Sequence, residues 1–372
     1  MPSNLRVALV HDHLAQDGGA ERVLRAFMEE YPDAPVFTLV YNRDEANVWF
    51  RTKDIRTSFI QHLPGSQRFY QWYLPLMPTA VERYDLRGFD VVLSSSASFA
   101  KGVITDPHTV HVCYLHSPTR YLWNDTISYV NNLRYARILK VVAMFALTRL
   151  RQWDRLAADR VDHFIVNSKF VSQRLKKYYR RSGQVIYPPV DIQRFTIQEK
   201  IGPYYLTGGR LVPYKHFDLV IEAFNRLGLP LKIFGSGPAE PKLRAMAKSN
   251  IEFVGRLDDA EMGKLFGQAI AFINPQEEDF GITVIEAMAA GRPVIAYAAG
   301  GAIETVKPGV TGTLFHDQEW EALADTVIRF TPDAFDPKKI RAWAETFSTE
   351  QFRQQIRAAV DTAWKNHQTQ LQ

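Results

Sequence analysis

The sequence predicts an α/β protein of two domains, each a parallel β-sheet with helices on both faces. Its 372 residues exceed what a single hydrophobic core usually serves, so two domains are expected. Short apolar runs alternate with amphipathic segments in both halves, which is the pattern of strand–helix units. Glycine turns follow several of these runs and lead directly into helices, as they do where open sheets bind ligands.

Charge is divided unevenly between the two halves. Residues 1–195 carry 26 Lys and Arg against 18 Asp and Glu, whereas residues 196–372 carry 19 against 22. Within 131–181 the numbers are 13 and 3, a net charge of +10. This excess predicts an anionic partner for the first half: a membrane surface, a phosphorylated acceptor or nucleic acid. Nucleic acid is the least favoured, because the basic residues form no RNA-reading motif.

Cysteine content and hydropathy indicate the compartment. Cys113 is the single cysteine, which excludes an intrachain disulfide and favours a reducing environment. The first residues, MPSNLRVALVHD, lack the apolar core of a signal peptide. No apolar run reaches the about eighteen residues of a spanning helix, so none is expected.

The first half contains six expected strands, at 5–10, 36–40, 89–93, 110–115, 164–167 and 185–187. Gly18 and Gly19 follow the first strand and precede an apolar-periodic helix, so their backbone could approach a ligand closely. The glycine spacing is not GxGxxG, which excludes the dinucleotide fingerprint. A later helix is expected from Ser168, a good N-cap, to Tyr179.

His116 directly follows the expected strand at 110–115. Ligands of open α/β sheets bind beyond the carboxyl ends of the strands, so this histidine lies where a functional side chain is expected. A single histidine at a strand end more often has a structural role.

Two further segments of the first half are candidates for contact with lipid. Residues 59–84 are rich in aromatic residues and proline, and residues 131–158 form a helical pattern punctuated by Lys and Arg. Such segments lie in membrane interfaces, but they also cover ordinary domain cores. Both interpretations stay open.

The domain boundary is expected near 190–200. Tyr187-Pro188-Pro189-Val190-Asp191 is a rigid, non-helical link. The first domain would therefore comprise 1–190 and the second 200–347. A last amphipathic helix is predicted over 348–372, because the spacing of Ser348 and Gln351 matches a capping box.

The second half repeats the alternation, with strands expected at 204–207, 231–234, 251–254, 269–274 and 294–297. Gly208-Gly209-Arg210 follows the first of these strands, and Lys215 precedes the next helix. Arg can bridge two phosphate oxygens and Lys supplies a point charge. This turn therefore suits a diphosphate.

The stretch 277–295, EEDFGITVIEAMAAGRPVI, has the strongest local pattern. Glu278 lies in a loop before a helix, Glu286 lies about two turns into that helix, and Gly291 is a plausible stop. A helix start offers free N–H groups and the positive end of a dipole to phosphate or sugar oxygens. The two carboxylates could hold one ligand about 10 Å long.

Taken in order, the strings GGAERV, YLHSPTRYLW, PPVD, GGRLVPYK and the paired glutamates with EAMAAGRPVI resemble the retaining glycosyltransferases of family four. The resemblance extends over nearly the whole chain and implies the GT-B fold. In that fold two Rossmann-like domains with parallel sheets face each other across a cleft, and the C-terminal helix crosses back to the first domain. The first domain would bind the acceptor, and the second would bind the nucleotide-sugar donor.

The resemblance also implies roles for individual residues. Catalysis would involve His116, Arg210, Lys215 and Glu278. Donor binding would involve the glycine loop, the two cations, the nucleobase segment and the glutamate helix, namely Gly18, Gly19, Arg210, Lys215, Arg256, Leu257, Phe280, Gly281, Ile282 and Glu286. Neither a metal nor a cofactor is expected, because no DxD pair is present and the two cations would stabilise the leaving diphosphate.

Within the family, the strings GGAERV, HSPTRYLWND and RVDHFIVNS are similar to bacterial O-antigen and exopolysaccharide mannosyltransferases. This similarity implies GDP-mannose as the donor and a polyprenyl-diphosphate-linked glycan as the acceptor. It also implies a cytoplasmic protein attached peripherally to the inner face of the plasma membrane through the basic region 131–181. A UDP-sugar donor stays open, as does a nucleotide-sugar epimerase or glycan phosphorylase of the same fold.

Overall fold

The computed structural model describes residues 5–127, 130 and 137–371. The chain divides into two compact units, Met1–Tyr187 with Phe352–Gln372, and Pro188–Gln351. Each unit contains one parallel sheet flanked by helices, which confirms the predicted α/β class with two Rossmann-like domains. The assignment of acceptor binding to one domain and donor binding to the other stays a prediction.

The first unit is organised around a seven-stranded parallel sheet with the order β3-β2-β1-β4-β5-β6-β7. Its strands are β1 (Val7–His11), β2 (Val36–Thr38), β3 (Ile55–Thr57), β4 (Val91–Ser96), β5 (Val110–Leu115), β6 (His163–Val166) and β7 (Gly183–Val185). β1, β4 and β5 are buried along their whole length. Their near-continuous apolar sequence reflects this burial, because helices cover both faces of a parallel sheet.

The described helices of the first unit are α1 (Gly19–Glu30), α2 (Ser66–Phe69), α3 (Met77–Glu82), α4 (Arg137–Ala157) and α5 (Lys169–Tyr179). Ser168 caps α5 as predicted, because its Oγ accepts a hydrogen bond from the Val171 N–H at 3.0 Å. α4 corresponds to most of the helix predicted over 131–158, whereas residues 131–136 lie outside the described residues. None of the described helices is long and apolar enough to cross a bilayer.

A buried ion pair ties α4 to the loop that follows β4. Lys101 Nζ lies 2.6 Å from Asp154 Oδ1, and both side chains are almost inaccessible. Asp154 also accepts hydrogen bonds from Thr119, Trp123 and Tyr179 at 2.7–2.8 Å. The carboxylate is therefore fully engaged, and this pair has a structural role.

The second unit contains a six-stranded parallel sheet with the order β10-β9-β8-β11-β12-β13. Its strands are β8 (Tyr205–Gly208), β9 (Leu231–Phe234), β10 (Ile251–Gly255), β11 (Phe272–Asn274), β12 (Val294–Tyr297) and β13 (Gly312–Phe315). Its described helices are α6 (Phe217–Leu227), α7 (Glu240–Met246), α8 (Asp259–Gly267), α9 (Ile282–Ala289), α10 (Ala302–Thr305), α11 (Trp320–Arg329) and α12 (Pro337–Glu345).

The terminal helix α13 (Thr349–Leu371) belongs to the first unit from Phe352 onward. The predicted apolar stripe packs into the core of that unit, where Phe352 stacks on Phe27 at 5.8 Å and contacts Tyr114 edge-on at 5.6 Å. The predicted capping contact at its start is present, because the Gln351 N–H donates to Ser348 Oγ at 3.4 Å. The expectation that the terminal helix returns to the first domain is confirmed.

Several predicted strands were misplaced or missed. Ser94–Ser96 belong to β4 rather than following it, because they pair with Cys113–Leu115 of β5. The last strand of the first sheet ends at Val185, where the expected one begins. β3 and β13 were not predicted, because their sequences, IRT and GTLF, lack the apolar run from which the other strands were predicted. Pairing with a neighbouring strand sets these bounds.

Both sheets reverse their strand order beside their first strand. β1 lies between β2 and β4, and β8 lies between β9 and β11. In open α/β sheets the crevice at the carboxyl ends of the strands at such a switch point is the usual ligand site. The carboxyl ends of β1 and β4, and those of β8 and β11, are therefore the two places where functional side chains are expected.

Candidate functional site

Three side chains meet at the switch point of the first sheet. His11 is the last residue of β1, and its Nδ1 lies 3.1 Å from Ser95 Oγ on β4. The same Oγ lies 2.8 Å from Nε2 of His116, the residue that follows β5. His11 and Ser95 are buried, whereas His116 is half-buried. The structure thus places the predicted histidine at the expected strand ends and joins it to two residues that were not predicted.

Asp12, the next residue after β1, has a structural role. Its carboxylate accepts hydrogen bonds from the backbone N–H groups of Ala97, Phe99 and Ala100 at 2.6–2.7 Å. It is 4% exposed. These contacts hold the loop after β4 against the end of β1.

The glycine loop before α1 is held by Glu21. Gly18 is the N-cap, and its N–H donates to Glu21 Oε2 at 2.9 Å. Glu21 Oε1 lies 3.8 Å from His11 Nε2, and Glu21 is only 2% exposed. The predicted glycine pair is therefore connected to the histidines through a buried carboxylate. Gly19 is the first helical residue, so its N–H has no acceptor within the helix.

Burial and the neighbouring charges shift two pKa values at this site. Desolvation lowers the pKa of His116 to about 4, so its imidazole is neutral at pH 7. Burial acts to raise the pKa of Glu21, but its contact with His11 and the nearby His13 outweigh burial and lower it below its ordinary value. Glu21 is therefore a carboxylate in the same cluster as the neutral His116 ring.

In the second unit, glycines let the turns after β8 and β9 approach each other. Gly208 and Gly209 have φ of 156° and 131°, and Gly235 has φ of 99°. A Cβ at Gly235 would lie 1.9 Å from the Gly209 carbonyl oxygen, and one at Gly208 would lie 2.4 Å from the Phe234 carbonyl oxygen. Both backbone conformation and space therefore require glycine here.

The structure brings together two of the predicted catalytic residues at the second switch point. Lys215 follows β8 and ends a 3₁₀ turn, Pro213–Lys215, whereas Glu278 follows β11. Lys215 Nζ lies 2.8 Å from Glu278 Oε1, with the side chains 14% and 20% exposed. The residue after Lys215, His216, has a backbone φ of 52°, which is uncommon for a residue other than glycine.

Arg210 also follows β8, and its side chain is exposed. Its guanidinium has no ion-pair or hydrogen-bond partner within 5–127, 130 and 137–371. A guanidinium left to solvent beside a glycine turn can donate two parallel hydrogen bonds to an anion.

The loop that carries Glu278 is braced by a second glycine pair. The Gly301 N–H donates to the Glu278 carbonyl at 2.8 Å, and Cβ atoms at Gly300 and Gly301 would lie 2.3–2.4 Å from the backbone of Glu278 and Phe280. The sequence signalled only a turn at these glycines. A single sequence does not show that these glycines contact the backbone of a loop more than twenty residues earlier.

Helix α9 begins where the glutamate helix was predicted. Gly281, with a φ of 91°, is its N-cap, and Ile282 is its half-buried first residue. Phe280 is buried and packs against Phe347 with ring centroids 5.7 Å apart, so only its backbone could serve a ligand. Glu286 is 4% exposed in the second turn of α9.

The predicted nucleobase segment lies at the edge of the second sheet. Arg256 and Leu257 follow β10, which is two strands away from β8. Arg256 Nε donates to Ser236 Oγ at 2.7 Å, which links the ends of β10 and β9. The Arg256 side chain is exposed, and Leu257 is half-buried.

Two buried amides at the end of β11 were not predicted. Asn274 and Gln276 are each 1% exposed, and their Oδ1 and Oε1 atoms have no hydrogen-bond partner in the described part of the chain. Polar residues after a strand are too common to signal a site in the sequence. Within the same described residues, no group of three or more His, Cys, Asp or Glu side chains could hold a metal ion.

Known proteins match both halves of the chain. Residues 17–194 match the family model described as Glycosyltransferase Family 4, and residues 191–346 match the one described as Glycosyl transferases group 1. A GDP-mannose-dependent monoacylated alpha-(1-6)-phosphatidylinositol monomannoside mannosyltransferase of Corynebacterium glutamicum is 31% identical over 215 residues, 49% of this chain and 56% of that protein. A GDP-mannose-dependent alpha-mannosyltransferase of Mycolicibacterium smegmatis is 39% identical over 107 residues, 28% of each chain.

The chain thus spans about half the length of the first of these relatives. Among solved structures, Anabaena HepE in complex with UDP superposes with a TM-score of 0.72 at 18% identity, over 96% of this chain and 100% of that one. With two parallel sheets of this order and family matches that together extend from residue 17 to residue 346, the chain belongs to the GT-B glycosyltransferases of the group 1 and family 4 type.

Proposed function

We propose that the protein is a retaining glycosyltransferase that moves mannose from GDP-mannose to a lipid-linked glycan. The observation that carries the proposal is the contact of Lys215 with Glu278 at 2.8 Å, beside exposed Arg210, at the switch point of the second sheet. This arrangement places cations and a carboxylate at the strand ends where a charged ligand with a sugar would be held.

The cations suit the leaving group of the reaction. When the sugar departs, negative charge grows on the diphosphate, and preorganised positive charge stabilises it. Arg210 would bridge two oxygens and Lys215 would contact one, so their combined charge would do the work of a divalent metal. In the first unit, the Gly18 N–H is occupied by Glu21, so we expect Gly19 rather than Gly18 to be the glycine whose N–H donates to a ligand of that unit.

The remaining predicted residues would bind the donor sugar and nucleoside. Glu278 and the backbone amides through Ile282 would hold the sugar, Glu286 would hold the ribose, and the segment of Arg256 and Leu257 would meet the nucleobase. His116 would contact the sugar or the acceptor hydroxyl. In a front-face reaction the bond from the sugar to phosphate oxygen breaks, the bond to the acceptor oxygen forms, and the acceptor proton passes to the leaving phosphate.

The relatives support GDP-mannose because their names specify it. A UDP-sugar donor is the second candidate, since HepE was solved with UDP. Titration calorimetry with GDP and UDP separates the two: we expect tighter GDP binding, and tighter UDP binding would overturn the mannose assignment.

Transfer itself is tested by mass spectrometry of a panel of nucleotide sugars incubated with polyprenyl-diphosphate-linked glycans. We expect an added hexose only when both substrates are present, with retained anomeric configuration by NMR. Turnover of the donor to another nucleotide sugar without acceptor would instead indicate an epimerase. No added hexose from any donor in the panel would contradict the proposal.

We also propose that the first unit attaches to the inner face of the plasma membrane. In the described residues of α4, Phe145 is 72% exposed and Met144 40% exposed, within the basic region 131–181. A surface with apolar and basic side chains suits an anionic bilayer. We expect sedimentation with vesicles containing anionic lipid, weakened by salt and by Phe145→Ser; equal binding to neutral vesicles would contradict the charge argument.

A further inference from the structure

A continuous chain of polar contacts connects the glycine loop to His116. Glu21 holds the Gly18 N–H, its other oxygen lies 3.8 Å from His11 Nε2, and His11 Nδ1 lies 3.1 Å from Ser95 Oγ. Ser95 Oγ in turn lies 2.8 Å from His116 Nε2. Glu21, His11 and Ser95 are each at most 2% exposed, so water does not compete for these contacts. The proposed reaction uses only the last member of this chain, His116.

The chemistry of the members determines the direction of each contact. A carboxylate only accepts hydrogen bonds, and its negative charge favours a proton on the nearest nitrogen, His11 Nε2. A His11 ring that carries only this proton has a bare Nδ1, which accepts the single proton of the Ser95 hydroxyl. Because that proton is used, Ser95 Oγ accepts from His116, and the proton of neutral His116 lies on Nε2.

We propose that Glu21, His11 and Ser95 are positioning residues that hold His116 in the Nε2–H tautomer, so that its Nδ1 accepts a hydrogen bond from a substrate hydroxyl. His116 Nδ1 has no hydrogen-bond partner among the residues that the structure describes. The role at a substrate hydroxyl rests on the proposed glycosyl transfer, whereas the tautomer does not. The same carboxylate holds the glycine loop, so one group aligns both features.

The tautomer can be measured directly. Two-bond ¹H–¹⁵N correlation spectra of protein labelled at histidine distinguish Nε2–H from Nδ1–H rings, and the His116→Gln spectrum identifies the signal among the 10 histidines. At pH 8, above the ordinary histidine pKa of about 6.5, we expect the Nε2–H pattern for His116. An Nδ1–H pattern for His116 in the wild-type protein would overturn the proposal. That pattern would arise if His11 were protonated, because His11 Nδ1 would then donate to Ser95 and the Ser95 hydroxyl would donate to His116 Nε2.

Ser95→Ala removes the hydroxyl that links His11 to His116, and Ser94→Ala is its matched control. Ser94 is the preceding residue of β4, and its Oγ makes a buried contact of the same length, 2.8 Å, to His111 Nε2. His111 does not take part in the series of contacts from Glu21 to His116. We expect Ser95→Ala to mix the His116 tautomers and lower kcat/KM about tenfold, the worth of one buried hydrogen bond, and Ser94→Ala to do neither. Glu21→Gln keeps the loop contact through its amide oxygen, because Gln also serves in a capping box, and its amide N–H then faces His11 Nε2. His11 Nε2 must then accept, so we expect the His116 tautomer to shift toward Nδ1–H.

The outcomes separate this inference from the proposed function. An unchanged His116 tautomer in Ser95→Ala removes the positioning role whatever the activity. If the His116 tautomer changes in Ser95→Ala but the rate of transfer stays at the wild-type value, the tautomer is not important for the reaction. Absence of transfer with every nucleotide sugar contradicts the proposed function and leaves the tautomer assignment standing.

Discussion

At the scale of single residues, Lys215 and Glu278 form an ion pair instead of two separately solvated charges. Their spacing in the sequence is 63 positions, yet β8 and β11 are neighbours, and the atoms meet at 2.8 Å. In this contact the cation and the carboxylate neutralise each other. A donor diphosphate and sugar would replace this contact with one partner for each.

We expect Glu278→Gln and Lys215→Ala each to lower kcat/KM for glycosyl transfer at least a hundredfold, because each removes a charge that acts on the reacting groups in the proposed reaction. Lys232→Ala serves as the control, since Lys232 forms a similar pair with Glu252 at 3.2 Å at the edge of the same sheet. Transfer assays are combined with thermal unfolding to confirm an intact fold. Wild-type rates in either site variant would exclude that residue from the mechanism.

His111 provides a test of burial through pH. It is completely buried in β5, and desolvation lowers its pKa from 6.5 to about 4. Between these values the unfolded chain binds the proton more readily, so the free energy of unfolding should decrease as pH falls through this window. This histidine alone should account for about 2 kcal/mol between pH 7 and pH 5.

Urea unfolding at pH 7 and pH 5 measures this effect. The difference between the two pH values should be smaller in His111→Gln than in the wild-type protein, and unchanged in the control His108→Gln, since His108 is exposed. An equal pH dependence in the wild-type protein and His111→Gln would contradict the depressed pKa.

At the scale of elements, the loop before α9 depends on a turn that is distant in the sequence. The cap of α9, Gly281, was predictable, because a helix start has a recognisable local pattern. Its brace at Gly300 and Gly301 was not, because the contact with the backbone of Glu278 and Phe280 is tertiary. The element that carries the candidate site is therefore held by residues outside the motif.

Gly301→Ala tests this brace. A Cβ there would lie 2.4 Å from Phe280 Cα, whereas the backbone conformation itself permits alanine, so the change acts only through the clash. We expect kcat/KM to decrease about tenfold or more, because a displacement of about 1 Å in a site can cost a hundredfold. Gly228→Ala is the control: its φ is 69°, nothing lies within 4 Å, and activity should not change. An equal effect in both variants would show a general loss of stability instead.

At the scale of the whole molecule, the first half of the chain and the C-terminal helix form one compact unit. Residues from Phe352 onward complete the core of the first unit, although more than 160 residues of the second unit intervene. The amphipathic stripe of α13 indicated that the helix is buried on one face. Phe27 and Tyr114 as its partners emerged only from the structure.

We expect Phe352→Ala to lower the free energy of unfolding of the first unit by about 3–5 kcal/mol, the usual cost of removing a buried Phe. The side chain is 2% exposed and stacked on Phe27, so little collapse can fill the cavity. Urea unfolding followed by tryptophan fluorescence measures the loss, with exposed Gln355→Ala as the control. A change below about 1 kcal/mol would indicate that α13 is not part of that core.

The fold class, most strand and helix positions, the cap at Ser168 and the order of motifs that resemble family-four transferases could all be predicted from the sequence. These properties depend on local periodicity and turn chemistry, which neighbouring residues encode. Three contacts became visible only in the folded protein: Lys215 with Glu278, Gly301 with the glutamate loop, and the polar contacts that run from Glu21 through His11 and Ser95 to His116. The physical reason is that parallel strands bring together residues separated by whole strand–helix units, and one sequence contains no record of which strands become neighbours.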